Sequence, residues 1–247
     1  MDTLRAIYRN VTPAAIRRVI SGARSRWRGI CQESDLTETE RRGMMRSAFS
    51  ALHFNEISGD YAEFGCHTGR TFGLAYNASR KQNYNCKLWA FDSFSGLPPE
   101  SVSEGWDEGL MKTSIEDFKK ICRRRGIPES AYQIVPGFYE ATLTAKEMAH
   151  QLPSVSLAYI DCILYSSTKT VLNFLAKRIK HGSIIAFDDY FSFSATTLAG
   201  ERLACVEFLN AEPRFHFVPF WRYGWHGMAF IVEDKSYWKE IDFTVLP

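Results

Sequence analysis

Tyr61-Ala62-Glu63-Phe64-Gly65-Cys66-His67-Thr68-Gly69-Arg70-Thr71 is an apolar run that ends in a glycine turn and gives way to a helical pattern. Gly65 and Gly69 let the backbone turn tightly and approach a ligand closely, and the following helix would point its N–H groups at that ligand. The spacing is Gly-x-x-x-Gly rather than the Gly-x-Gly-x-x-Gly of dinucleotide sites, which disfavours a pyrophosphate cradle. A turn that only joins a strand to a helix explains the same residues.

Outward from this stretch, short apolar runs at 61–64, 88–91, 132–135, 157–160 and 184–187 alternate with helical patterns. That rhythm is the signature of βαβ units and a parallel sheet. The last three runs lack polar alternation, as strands buried on both faces do. Ser114-Ile115-Glu116-Asp117 resembles a capping box, with Ile115, Phe118 and Ile121 on one face and a stop at Gly126 and Pro128. A second helix spans 167–179, with Val171, Leu175 and Ile179 inward, and a third lies near 201–209. Runs at 215–218 and 228–232 follow, joined by too short a loop for a crossover helix, so they pair antiparallel. The fold class expected is α/β: a Rossmann-like, doubly wound, mostly parallel seven-stranded sheet with an antiparallel edge strand, plus N-terminal helices. The expected division is 1–55, a basic helical extension, and 56–247, the α/β domain.

Composition narrows the function classes. The 247 residues are 45% hydrophobic and 23% charged, which suits one globular domain. A net charge of +2, with no aromatics interleaved among basic clusters, gives no sign of a nucleic-acid partner. Six cysteines, at 31, 66, 86, 122, 162 and 205, form no C-x-x-C pair, which fits a reduced, cytoplasmic chain. No apolar run is long enough to cross a bilayer and no signal h-region is present. Arginines crowd the first 30 residues, and Thr12-Pro13 begins a short helix with Ile16, Val19 and Ile20 on one side. Such a basic amphipathic helix suits contact with a membrane surface or an acidic partner; a solvated or dimer-packing arm is the other reading. A further helix is expected from Thr37, where Thr37-Glu38-Thr39-Glu40 forms a capping box, with Met45, Ala48, Phe49 and Leu52 covering the start of the sheet.

In doubly wound sheets ligands bind outside the carboxyl ends of the strands, so acidic residues there are the ones to weigh. Asp92 ends the second run, where a carboxylate can accept both hydroxyls of a ribose or cap the turn through Ser93 to Pro98. Asp161 ends the fourth run and Asp188-Asp189 the fifth. Neighbouring parallel strands lie about 4.8 Å apart, so these three carboxylates can converge on one hard cation such as Mg²⁺. They can equally be turn and cap residues in solvent.

The stretches Tyr61-Ala62-Glu63-Phe64-Gly65, Phe91-Asp92-Ser93-Phe94-Ser95-Gly96-Leu97-Pro98, Val135-Pro136-Gly137-Phe138-Tyr139, Tyr159-Ile160-Asp161-Cys162-Ile163-Leu164-Tyr165-Ser166-Ser167-Thr168 and Ile185-Ala186-Phe187-Asp188-Asp189-Tyr190 together resemble the macrocin O-methyltransferase family of class I S-adenosylmethionine-dependent enzymes. The resemblance covers roughly residues 55 to 235 and keeps five motifs in order. It implies an O-methyltransferase, residues 56–247 being its S-adenosylmethionine-dependent domain, that acts with Mg²⁺ on a hydroxyl of a small molecule such as a sugar or natural-product glycoside. By the same resemblance Gly65 and Gly69 border the methionine end of the cofactor with Glu63 nearby, Asp92 and Ser93 hold the ribose, and Gly137 and Phe138 lie beside the adenine. Asp161, Asp188 and Asp189 are then the metal ligands, and a homo-oligomer is implied.

One position departs from the pattern. The family usually reads Asp-x-Asp-Leu-Tyr after the fourth strand, and here the second acidic position is Ile163. That residue is a proposed general base in some relatives, so His67, Tyr165 and His226 enter as replacements, each also explicable as a structural hydrogen-bonding group. The same loss keeps open a non-catalytic or metal-independent S-adenosylmethionine-binding protein; a nicotinamide oxidoreductase is disfavoured by the missing third glycine. Segments 95–113 and 190–200 are too irregular for mere connectors and suit a lid and a flap. Phe220-Trp221-Arg222-Tyr223-Gly224-Trp225-His226-Gly227 brings rings and two cations to the sheet edge, to stack on an acceptor or to form a dimer contact.

Overall fold

The computed structural model describes residues 34–104, 106–144, 151–192 and 197–240. The basic helix expected around Thr12 to Ile20 lies outside the described residues, as do four residues of the 190–200 segment. Seven strands form one sheet: β1 (Asp60–Phe64), β2 (Leu88–Asp92), β3 (Tyr132–Pro136), β4 (Val155–Ile160), β5 (Ile184–Phe187), β6 (Phe215–Tyr223) and β7 (Gly227–Asp234). Among the described residues six α-helices accompany them: α1 (Ser34–Phe54), α2 (Arg70–Lys81), α3 (Ile115–Arg124), α4 (Tyr139–Thr142), α5 (Tyr165–Leu175) and α6 (Gly200–Ala211). Among the described residues no helix is long and apolar enough to cross a membrane.

The spatial order is β3-β2-β1-β4-β5-β7-β6. β1 to β5 pair in parallel, and β7 runs against both β5 and β6. The antiparallel strand expected at the edge is thus β7, one place in, with β6 outside it and parallel to the first five. The order reverses at β1 and β4, whose carboxyl ends therefore flank the crevice where such sheets bind ligands.

Alternate residues of each strand feed opposite faces, as a two-residue period requires. Ala62, Phe64, Phe91, Ala158, Ile160, Ile185 and Phe187 pack on one face with α5 and α6 residues such as Val171, Leu175 and Phe208. Tyr61, Leu88, Ala90, Leu157, Tyr159 and Ala186 pack on the other with Met44, Met45, Ala48, Phe49 and Leu52 of α1 and Phe72 of α2. The apolar stripe read from α1 thus does cover the sheet. The helix itself begins at Ser34 rather than Thr37, and the chain divides into compact units after Glu40, so α1 from Arg41 onward belongs with the sheet. The Ser114 cap is present, its hydroxyl accepting the Asp117 N–H at 3.1 Å. The five described cysteines are free and buried.

Candidate active site

Three strand ends meet at the turn after β1. Gly65 N–H donates to the Phe91 carbonyl at 2.9 Å, and Asp161 N–H donates to the Phe64 carbonyl at 2.8 Å. Gly65 has φ +91°, and a Cβ there would lie 2.1 Å from the Asp161 carbonyl oxygen, so the approach of β1 to β4 itself demands glycine. Gly69 (φ +61°) is the N-cap of α2 and offers no side chain to that helix's first N–H groups.

Asp92 fastens this turn. Its Oδ2 accepts the N–H groups of Cys66 (2.8 Å) and His67 (3.0 Å), and its Oδ1 accepts that of Phe94 (2.7 Å). A carboxylate has about four lone-pair sites, so three backbone donors leave room for one more hydrogen bond, not for both hydroxyls of a ribose. Ser93 donates to the Gly96 carbonyl at 2.7 Å, and Gly137 N–H donates to the Asp92 carbonyl at 3.0 Å. Phe138, beside Gly137, is partly exposed at the start of α4. Glu63 is buried and accepts a hydrogen bond from the Tyr61 hydroxyl; burial, with help from Asp92 and Asp188, pushes its carboxyl up to about 8.

Beyond β4 and β5, one oxygen each of Asp161, Asp188 and Asp189 falls within 4.8 Å of the others. Asp188 is the tied member: Arg41 Nε donates to its Oδ1 at 2.9 Å, an Arg41 terminal nitrogen donates to its Oδ2 at 2.5 Å, and the Tyr159 hydroxyl also donates to Oδ1. Burial would lower the Arg41 pKa, but Tyr159, Asp188 and Asp161 outweigh it and hold the guanidinium charged. Asp161 is pushed well above the usual carboxylate range by burial and then by Asp188 and Asp189, and Asp189 is pushed up to about 6 by burial and Asp188. Behind them, fully buried Glu201 accepts the N–H groups of Cys162 (3.1 Å) and Asp189 (2.8 Å). Its pKa is raised by burial and then by Asp189 and Asp161.

The three candidate bases separate by position. His226 Nδ1 lies 2.5 Å from the Asp188 carbonyl oxygen and 4.0 Å from Asp189 Oδ1. A carbonyl only accepts, so Nδ1 carries hydrogen, and in the neutral ring Nε2 keeps the lone pair. His67 is exposed, with Nδ1 3.1 Å from the Thr113 hydroxyl, which ties the glycine turn to the base of the 95–113 segment. Tyr165 donates to Glu207 at 2.6 Å and meets Lys169 at 2.9 Å, in a surface network between α5 and α6. Trp225, 49% exposed, sets its ring 5.1 Å from that of His226 at 77°. Phe191 N–H donates to the His226 carbonyl at 2.9 Å, so the start of the 190–200 segment is anchored at the same place. The neck of the 95–113 segment is closed by bonds from Leu97 to Leu110 and from Gly109 to Leu97, both 2.9 Å.

Sequence reasoning missed Arg41, Tyr159 and Glu201. Arg41 sits at the head of the stripe Met45, Ala48 and Leu52, and Glu201 at the head of Ala204, Cys205 and Phe208. A charge on the inward line of an apolar stripe was the available signal in both cases.

Known proteins share this arrangement of elements. The macrocin-O-methyltransferase (TylF) family profile matches residues 2–211. The 8-demethyl-8-(2,3-dimethoxy-alpha-L-rhamnosyl)-tetracenomycin-C 4'-O-methyltransferase of Streptomyces olivaceus is 26% identical over 146 residues, 54% of this chain and 54% of that protein. The match thus spans about half the length of that curated relative. Of solved structures, the O-methyltransferase NovP superposes with a TM-score of 0.64 at 19% identity, covering 78% of this chain and 79% of that one. The calicheamicin methyltransferase CalS11 does so with a TM-score of 0.62 at 22% identity over 77% of each chain. Those two likenesses establish the fold; the profile, spanning most of the sequence, establishes descent, and the chain belongs to the macrocin O-methyltransferase family.

Proposed function

We propose that this protein transfers the methyl group of S-adenosylmethionine to a hydroxyl of a small sugar-bearing acceptor, assisted by a divalent cation such as Mg²⁺. The observation that carries the reading is the convergence of Asp161, Asp188 and Asp189 beside the glycine turn of β1. The tetracenomycin relative and NovP are O-methyltransferases by name, and an O-methyltransferase from Bacillus cereus with a TM-score of 0.52 was solved in complex with SAH.

The residues present fit both groups. An all-oxygen set suits a hard cation. Ionised together, these three carboxylates outnumber the one guanidinium seated on Asp188, so a divalent cation there would oppose a net negative charge. For the cofactor, the N-terminus of α2 past Gly69 lacks a side-chain cap and suits a carboxylate, while buried Glu63 suits the cationic end of the same molecule. Asp92 would use its remaining acceptor site on the ribose, with Ser93, Gly137 and Phe138 beside the nucleoside.

S-adenosylmethionine supplies a methyl on a cationic sulfonium, and a divalent cation supplies the charge that makes a nearby hydroxyl more acidic. The chain's own part is placement and proton transfer. Holding donor and acceptor in line is worth effective molarities of about 10⁵–10⁸ M. His226 Nε2 would take the proton of the acceptor hydroxyl, and Asp189, 4.0 Å from Nδ1, would steady the charged ring. Trp225 offers a face on which the acceptor ring stacks. Homo-oligomerisation remains part of the proposal, with the exposed Trp221 and Trp225 as the alternative use of this edge.

The test is methyl transfer from labelled S-adenosylmethionine across a glycoside panel, with Mg²⁺ or with excess EDTA. Asp161→Ala and Asp188→Ala should abolish transfer with the fold intact, and His226→Gln should lower kcat by about 10²–10⁴-fold. Undiminished transfer in EDTA would favour a metal-independent route, for which the Arg41 guanidinium already seated on Asp188 is the structural argument.

A further inference from the structure

We infer that Glu201 is a positioning residue of the acidic cluster: its carboxylate bridges the ends of β4 and β5 and so fixes the spacing between Asp161 and Asp189. The inference rests on the cation reading above and deepens it.

The ladder between β4 and β5 ends with Ile160 opposite Phe187, and its last bond runs from Asp188 N–H to the Ile160 carbonyl at 2.8 Å. Past that point both strands give way to loops, and these loops carry Asp161 and Asp189. Glu201 takes over where the ladder stops. One oxygen accepts the N–H of Cys162, the peptide directly after Asp161, and the other accepts the N–H of Asp189 itself. A single rigid carboxylate group therefore spans the backbone of both candidate ligands.

Helix anchoring is a poor account of this side chain. The N-cap of α6, Ala199, offers no side-chain cap, and an acidic residue in the first turn would ordinarily serve its own helix's N–H groups. Glu201 reaches across to the strand ends instead. A buried carboxylate beside three others is also an unfavourable placement unless its two acceptors are needed together. A glutamine of the same length would turn one donor toward an N–H group, so no neutral isostere satisfies both peptides. Groups that orient metal ligands without touching the metal typically change affinity by about 10–100-fold when removed.

The experiment uses the full chain with Glu201→Gln and Glu201→Ala, Mn²⁺ as the probe, and three readouts: free Mn²⁺ by electron paramagnetic resonance, S-adenosylmethionine binding by calorimetry, and the thermal midpoint. The expected result is a Mn²⁺ affinity lower by about 10–100-fold in Glu201→Gln, lower still in Glu201→Ala, with S-adenosylmethionine affinity unchanged. A folded Glu201→Gln whose midpoint drops while its Mn²⁺ affinity equals that of the wild type makes Glu201 a structural anchor and overturns the inference alone. A wild-type protein that takes up no Mn²⁺ overturns the cation reading and this role with it. Should Glu201→Ala not fold, the isosteric Glu201→Gln decides.

Discussion

Ile163 holds a backbone conformation that a β-branched side chain rarely adopts, with φ +63°. Strain of this kind costs on the order of 1–3 kcal/mol, whereas Asn and Asp tolerate the left-handed region. The acidic residue that the family resemblance implies at this position would therefore also be the conformationally easier one. Ile163→Asn should raise the thermal midpoint by about 2–4 °C, the equivalent of 1 kcal/mol in a protein of this size; a lower midpoint would mean that isoleucine packing outweighs the strain. Glu63 carries a second residue-scale expectation. Its carboxyl, pushed up to about 8 by burial, is protonated in the ligand-free fold at neutral pH, and a cationic ligand favours the ionised form. S-adenosylmethionine affinity should then rise with pH up to about 8, by at most about tenfold per unit, and calorimetry in buffers of different ionisation enthalpy should record proton release. Glu63→Gln should flatten the profile. The acidic residues at strand ends were legible because an Asp that closes an apolar run stands out. Arg41 and Glu201 were not, because a charge in the first turns of an amphipathic helix passes for a solvated one until its place on the inward line of the stripe is counted.

At the scale of elements, β5 was legible to both ends and β4 all but its first two residues, Val155-Ser156, and both strands are buried throughout; β3, also read as buried on both faces, instead turns Gln133 and Pro136 to solvent. The outer strands extend beyond the expected runs for a physical reason. β6 turns His216 outward between inward Phe215 and Phe217 and Arg222 outward beside inward Tyr223, and its register slips at Pro219/Trp221, where an edge strand accommodates proline. Alternation plus a bulge reads as a loop when contiguous apolar residues are the criterion. What no periodicity conveys is which glycine turns are crowded. Gly65 and Gly126 both have positive φ, but a Cβ at Gly126 meets nothing within 4 Å, whereas one at Gly65 strikes the backbone of Asp161. Gly126→Ala should therefore cost only the conformational penalty of about 1–2 kcal/mol. Gly65→Ala must also prise β1 from β4, so its midpoint should fall further and its S-adenosylmethionine binding should be lost. Equal losses in the two variants, measured by thermal unfolding, would show that the strand-end contact yields more easily than its geometry indicates.

For the whole molecule, the near balance of charge, +2 overall, conceals a local excess of negative charge at the carboxyl edge of the sheet. The folded state holds Asp161 and Asp189 with pKa values raised above those of the unfolded chain, about 3.9 for an ordinary Asp. The folded protein thus binds more protons than the unfolded one from about pH 4 upward, and its stability falls as pH rises through about 6, where Asp189 loses its proton. Above that pH the Asp189 carboxylate adds its charge to the cluster in the metal-free protein, and a divalent cation that neutralises it stabilises only the folded chain. Below it, protons and the cation compete for the same oxygens. Mg²⁺ should accordingly raise the thermal midpoint strongly at pH 8 and little at pH 5. A concentration of 100 times Kd is worth about 2.7 kcal/mol, and each kcal/mol moves the midpoint by about 2–4 °C. Asp161→Asn should abolish the response to Mg²⁺, since it removes one ligand, and should make the metal-free midpoint less dependent on pH, since it removes a carboxyl whose pKa the fold raises. A Mg²⁺ response of equal size at both pH values, or one that survives Asp161→Asn, would place the cation somewhere other than among these three carboxylates.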